Sequence, residues 1–309
     1  MFSLLFRSSS ALITTFRALD FETPVVRIIP HMKYPNIDPF IHLWGGVDIQ
    51  WYWMMYIIGF AISFIIVNFY CKRSQNGMTR GDLFVFWTAG PISLIIGARL
   101  GYWLIYNFKY FVSHPLLMLL SGGMSFHGGL MGVMFAAWLG SKMRGKKFLM
   151  VVDLGFLSTP PALFFGRIGN FIVGELWGRV TDVPWGMVIP SGEPYPRHPS
   201  QLYEAFFEGF VLFLIVYFIS YKSKTTGMIT SAFLFFYGLF RFIIEFFREP
   251  DPQMGFVIGP FSMGQVLCFM MMGFGIFLYF YARAKNDLTR QEPVVQPLKN
   301  TTSSEDRQQ

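Results

Sequence analysis

The chain has 309 residues, of which 53% are apolar, 19% aromatic and only 14% charged, where a soluble domain carries about 25% charged residues. With a mean hydropathy of +0.43, this balance excludes an ordinary soluble domain and points to a polytopic membrane protein. The net charge of +7 is then read first as a topology signal, and no nucleic-acid partner is expected.

Residues 1–31 hold Arg7, Arg17 and Arg27 beside a Ser/Thr-rich stretch. They read either as a targeting-like extension or as an over-long start, because Met32 opens a shorter chain. From there, seven apolar runs approach the ~20 residues that cross a hydrocarbon core: 52–70, 84–106, 116–140, 148–172, 201–221, 229–247 and 258–282. The third is interrupted by SGGMSFHGGL and the fourth ends in GRIGNFIVGELWGR. Residues 284–309 are polar and read as a disordered tail. Cys71 and Cys268 lie far apart with no ligand-like spacing, so neither a disulfide framework nor a metal site is expected.

The connecting loops alternate in charge. Loops 71–81, 141–147 and 222–227 and the C-terminal tail are rich in Lys and Arg, whereas 107–115, 173–200 and 248–255 are poor in them. Basic loops stay in the cytoplasm. The expected fold is thus an all-α polytopic integral membrane protein of seven transmembrane helices. Its N-terminus is outside and its C-terminus cytoplasmic, and a small external head segment, 173–200, joins spans four and five. The membrane domain covers 32–283. No internal repeat is visible, which disfavours a transporter built on inverted repeats.

Buried charge marks function, because each ionisable residue costs about 2.5–3.5 kcal/mol at a helix centre. At about 1.5 Å per residue, Arg99 lies roughly 10–12 Å below the outer surface. Arg167 lies about a turn inside, Arg241 in the outer half of span six, and His127 deeper. Tyr237, Arg241, Glu245 and Arg248 fall within roughly 80° of arc, one polar stripe on a Phe- and Ile-rich helix. Arg167 and Asn170 share a face of span four, and Tyr52 opens span one. Glycine pairs 122–123 and 128–129 flank His127 and suggest a broken helix around a cavity. Arg241 with Glu245 also has a bland reading as a structural pair, Arg99 as a clamp on a helix end, and His127 as a satisfied core histidine. Three arginines at that depth suit an anion, and guanidinium matches phosphate. From the residues alone, the chain is an enzyme or transporter that handles an anionic lipid from the outer leaflet.

GRIGNFIVGELWGR resembles the signature of bacterial prolipoprotein diacylglyceryl transferases, G-R-x-G-N-F-x-N-x-E-x-x-G. Gly166, Arg167, Gly169, Asn170, Phe171, Glu175 and Gly178 match it, and Val173 stands where the family usually has asparagine. WYWMMYIIGF, GARLGYWLIYNF, GGMSFHGGLMG, RHPSQLYEA, YGLFRFIIEFFREPD and SMGQ extend the resemblance over about 35–283. It implies transfer of a diacylglyceryl group from phosphatidylglycerol to the lipobox cysteine of a prolipoprotein signal peptide, with no cofactor. The implied place is the bacterial inner membrane, with the active site facing the outer leaflet. On this reading His127 is the base and Arg167 and Arg241 stabilise the leaving phosphate. Asn170, Glu175 and Gly178 shape the lipid site, and Tyr52, Tyr237 and Arg99 line it. The alternative is an anionic-lipid transporter or flippase.

Overall fold

Residues 32–35, 37–74, 77–106, 108–113, 125–189, 195–249, 256–258 and 261–291 are described in this computed structural model. The expected N-terminal extension and the end of the tail fall outside them. Long apolar runs become helices because a chain in lipid must satisfy its backbone internally. Helices α1 (Trp51–Ser74), α2 (Arg80–Gly101), α3 (Phe108–Ser113), α4 (Phe126–Met143) and α5 (Phe148–Val173) form the first half. The second half holds α6 (Ser200–Glu204), a π-helical stretch (Ala205–Val211), α7 (Leu212–Lys222), α8 (Met228–Ile244) and α9 (Met263–Gln291).

Among the described residues, five helical segments are long and apolar enough to cross a membrane: Trp51–Arg73, Arg80–Leu104, Phe148–Val173, Ser200–Lys222 and Met263–Lys285. The protein is therefore a polytopic membrane protein. α4 and α8 occupy the other two predicted positions with 18 and 17 residues. The last helix begins at Met263, later than expected, because Phe256–Ile258 and Phe261–Ser262 pair as strands ahead of it; the Gly-Pro dipeptide 259–260 between them is a turn signal in the sequence. The same helix runs to Gln291, past the position where the sequence turns polar.

The expectation of an all-α chain needs one correction. Strands β1 (Met32–Lys33), β2 (Phe40–Leu43), β3 (Val47–Gln50), β4 (Met187–Val188) and β5 (Pro196–Arg197) lie in the connecting segments. β4 pairs in parallel with β1 and antiparallel with β5, and β2–β3 is a hairpin leading into α1. These residues lie outside the apolar runs, where short backbone pairing satisfies the groups that a helix would. β1 ties the start of the described chain to the segment after α5.

Helix ends meet at two levels. At one, Asp82 closes a capping box with Thr79 and receives Arg144 Nε at 2.6 Å and Lys146 Nζ at 3.1 Å, joining the start of α2 to the end of α4. At the same level Asp153 of α5 accepts the Gly227 and Thr230 amides, at 2.6 and 2.8 Å, and so caps α8. The opposite ends of α5 and α8 meet where Gly178 bridges Arg248. Between the levels, Leu157, Leu212, Val216, Ile229 and Phe233 form a core of α5, α7 and α8.

The second glycine pair beside His127 does not break a helix. Gly128 and Gly129 sit inside continuous α4. A Cβ on Gly128 would stand 2.8 Å from the Gly101 Cα, and one on Gly97 2.9 Å from the Gly132 Cα. These small residues let the α2 and α4 backbones touch, the usual way helices associate in lipid. Gly122 and Gly123 lie outside the described residues.

Candidate active site

The last turns of α5 carry Arg167 and Asn170, and the chain then reverses. Gly174 takes φ +78°, and its amide and that of Glu175 return to the Asn170 carbonyl at 3.0 and 3.1 Å. Glycine is the residue that holds such a C-cap without strain. The Tyr34 hydroxyl donates to the Phe171 and Ile172 carbonyls at 2.6 and 2.9 Å. Two steps on, Leu176 sits at φ +61°, a strained conformation for a bulky residue and one that clusters at functional sites. Gln201 Nε2 donates to the Glu175 carbonyl and Ser200 Oγ to that of Leu176, so the start of α6 fixes the turn. Gly178 lies so close to its neighbours that a Cβ there would stand 2.4 Å from the Phe247 carbonyl oxygen and 2.8 Å from the His198 Cβ.

The motif's polar side chains form a relay. Arg167 Nη1 donates to Asn170 Oδ1 at 3.4 Å, and Asn170 Nδ2 donates to Glu175 Oε1 at 2.7 Å. Tyr52, in the first turn of α1, lies alongside, with its Cα 3.3 Å from where a Gly169 Cβ would be. Its hydroxyl stands 3.1 Å from that of Tyr56. Val173 is the last, half-buried residue of α5.

Arg167 then meets a carboxylate that the sequence reading did not single out. Its Nε stands 2.7 Å from Glu204 Oε2. Arg241 Nη1 stands 3.1 Å from the same oxygen, and Arg248 Nε stands 3.4 Å from Glu204 Oε1. Glu208 Oε1 lies 3.6 Å from Arg241 Nη1. Glu245 Oε2 lies 3.6 Å from Arg241 Nη2 and 3.4 Å from Arg248 Nη1, while its Oε1 accepts from Ser262 Oγ at 3.0 Å. Arg167 Nε, Glu204 Oε2 and Arg241 Nη1 are close but complete no aligned hydrogen bond, so charge attraction rather than hydrogen-bond geometry holds that corner.

The cluster is layered. Glu204 and Glu208 are 1% and 0% exposed, whereas the side chains of Arg167, Arg241 and Arg248 are 21%, 18% and 18% exposed. The carboxylates sit behind and the guanidinium groups in front. The π-helical stretch after Glu204 helps this arrangement. At four residues apart, an α-helix offsets two side chains by about 40°, and the wider π turn brings Glu204 and Glu208 closer to one line. Both carboxylates were visible in the sequence as acidic residues inside an apolar run, the same signal that exposed the arginines.

The structure thus brings Arg167, Asn170, Glu175 and Gly178 together with Arg241, Glu245 and Arg248, and places Tyr237 within electrostatic reach of Glu208 and Arg241. Arg248, rather than Arg99, completes the trio of guanidinium groups. Arg99 stands on α2, next to Ala98, whose carbonyl accepts the Ser125 amide at 2.9 Å. That bond sets the start of α4, and the His127 backbone, level with Arg99 rather than deeper. The side chain of His127 falls outside the described residues.

His198 flanks the head segment, its Nδ1 3.1 Å from the Tyr203 hydroxyl. Burial lowers its pKa below the usual histidine value, against a smaller upward pull from Asp182.

A model of the family "Prolipoprotein diacylglyceryl transferase" matches residues 39–281. A Geobacter sulfurreducens protein named phosphatidylglycerol–prolipoprotein diacylglyceryl transferase is 47% identical over 247 residues, 79% of this chain and 95% of the relative. Proteins of the same name from Pseudoalteromonas translucida and Coxiella burnetii are each 46% identical over 257 residues. These alignments cover 82% and 81% of this chain and 96% and 97% of the relatives. The matched region contains the reversed turn after α5, the Glu204 cluster and the helices that hold them, and the chain belongs to the prolipoprotein diacylglyceryl transferase family.

Proposed function

We propose that this protein transfers the sn-1,2-diacylglyceryl group of phosphatidylglycerol to the lipobox cysteine thiol of prolipoproteins, the lipid-attachment step of lipoprotein maturation. The sulfur forms a bond to the glyceryl carbon as that carbon's bond to the phosphate oxygen breaks. The electron pair leaves with glycerol phosphate, and the thiol proton passes to a base. The convergence of Arg167, Arg241 and Arg248 on buried Glu204 carries this reading. Guanidinium groups fixed from behind by carboxylates keep their outer N–H groups for phosphate and need little reorganisation as charge develops on the leaving group.

Within this scheme Arg167 and Arg241 hold the phosphate. Asn170 and Glu175 orient Arg167, and Gly178 keeps the head segment against the end of α8. Tyr52, Tyr237 and Arg99 line the lipid's path. His127 is the base, because free cysteine ionises near pH 8.5 and reacts as thiolate. The alternation of basic and base-poor loops supports seven spans with the N-terminus outside, and with them a cluster that faces the outer leaflet of a bacterial inner membrane. The apolar signal peptide would enter between helices from the side.

Phosphatidylglycerol labelled in its non-acylated glycerol separates this reading from lipid transport. A transferase releases labelled water-soluble glycerol phosphate only when a lipobox peptide is present. Movement of label across the bilayer without release would make the protein a flippase.

A further inference from the structure

A second groove lies at the opposite end of the bundle. A groove of about 590 Å³ runs between α1 and α2, walled by Phe60, Phe64, Phe84 and Trp87 and ending at Lys72 and Arg80. Trp87 packs its ring 5.1 and 5.5 Å from Phe60 and Phe64 and so forms the floor of an aromatic slot. Lys72 lies twenty residues along α1 from Tyr52, about 30 Å at the helical rise, so the groove mouth and the Glu204 cluster are at opposite membrane faces.

Among the described residues, the two cations at the mouth have no ion-pair partner. Neighbouring Arg73 stacks on Tyr221, 4.5 Å from the ring centroid. The nearby carboxylate of Asp82 is already taken by Arg144 and Lys146. Among the described residues no carboxylate pairs with Lys72 or Arg80, and both are exposed. Loop charge would by itself satisfy the topology rule anywhere in the loop. Here two such cations instead flank the end of an apolar slot. Arg80 and Trp87 are seven residues apart, about 10 Å along the helix. That span separates a headgroup phosphate from the upper part of its acyl chains.

We propose that this groove binds one anionic diacyl phospholipid of the leaflet opposite the active site. Its phosphate sits between Lys72 and Arg80, and one acyl chain lies along Phe60, Phe64, Phe84 and Trp87. A zwitterionic phospholipid carries the same chains but brings no net charge to the two cations. Each basic residue near an anionic membrane surface is worth about 1 kcal/mol, so two of them give a preference of about 30-fold.

Fluorescence quenching by brominated lipids tests this without using the transferase reaction. A Thr88→Cys variant carries a fluorophore at the deep end of the groove. Cys71 and Cys268 are 6% and 4% exposed and stay unlabelled. In mixed vesicles, brominated phosphatidylglycerol should quench this probe with an association constant about 30-fold above that of brominated phosphatidylcholine. A probe at Leu214→Cys, on another lipid-facing surface, should show no such preference. Lys72→Gln with Arg80→Gln should bring the ratio at position 88 close to one, while Lys72→Arg with Arg80→Lys should keep it. A ratio near one in the starting protein overturns the site. So does a preference that survives removal of both charges, or an equal preference at position 214.

Discussion

Replacing Glu204 by glutamine keeps the side chain's shape and removes one negative charge from the point where three guanidinium groups converge. In the native cluster Arg167 Nε, Arg241 Nη1 and Arg248 Nε approach its two oxygens at 2.7, 3.1 and 3.4 Å, and the residue is 1% exposed. One unit pair at about 4 Å is worth about 4 kcal/mol at an effective dielectric of 20, and removing one partner of a buried pair typically costs about 3–5 kcal/mol. Glu208 and Glu245 remain beside Arg241 and Arg248, so Arg167 loses most. We expect a destabilisation of about 3 kcal/mol, a fall in Tm on the order of 10 °C, and loss of transferase activity as Arg167 swings from its place. Glu204→Asp retains the charge but draws it back by about one C–C bond, roughly 1.5 Å, and should fall between the two. The assay is thermal unfolding in detergent beside turnover of a lipobox peptide. A Glu204→Gln protein with native Tm and native turnover would show that the three contacts do not carry the cluster.

Four further outcomes are expected. Gly178→Ala forces a methyl group against the Phe247 carbonyl and the His198 Cβ, so it should cost about 1–3 kcal/mol, read as a lowered Tm; an unchanged Tm would show that the two segments move apart freely. His127→Gln should lower single-turnover rate by about 10²–10⁴-fold while phosphatidylglycerol binding persists, with the residual rate rising with pH; normal turnover or lost lipid binding removes it as the base. His198 has a lowered pKa when folded, so the unfolded chain binds more protons, and the residue's contribution to stability is lost as pH falls from about 6.5 through its lower folded pKa. The native Tm should therefore drop more between pH 7.5 and 5.5 than that of His198→Gln; equal drops would refute this. Finally, an impermeant thiol reagent added from outside should label Tyr195→Cys and spare Met143→Cys, two exposed positions on either side of α5, and the reverse pattern would invert the topology.

Charge was legible in this sequence wherever lipid makes it expensive. Of the stripe read from helical spacing, Arg241, Glu245 and Arg248 do meet, although α8 ends at Ile244 and Arg248 lies beyond it; Tyr237 stays within electrostatic reach of Arg241. Arg167, Asn170 and Glu175 were legible too, although their relay depends on the positive φ of Gly174, which spacing does not reveal. Glu204 and Glu208 carried the same signal inside an apolar run but were read past. An arginine in lipid suggests an anionic ligand, and the first place to look for its anion is another helix of the same chain. Gly128 was misread for a different reason. Glycine serves both to break helices and to bring them together, and only the partner residues Gly97 and Gly101 decide which. The strands around Met32, Met187 and Pro196 had no legible signal, since two-residue pairings have no periodicity to detect.

The most direct test of the account is the mass of a lipobox peptide after incubation with the purified protein and phosphatidylglycerol. The cysteine should gain one diacylglyceryl unit, a gain abolished by replacing that cysteine with serine and strongly reduced in Arg241→Lys, which keeps the charge but loses the fork. An unmodified peptide, with the protein folded and lipid bound, would contradict it.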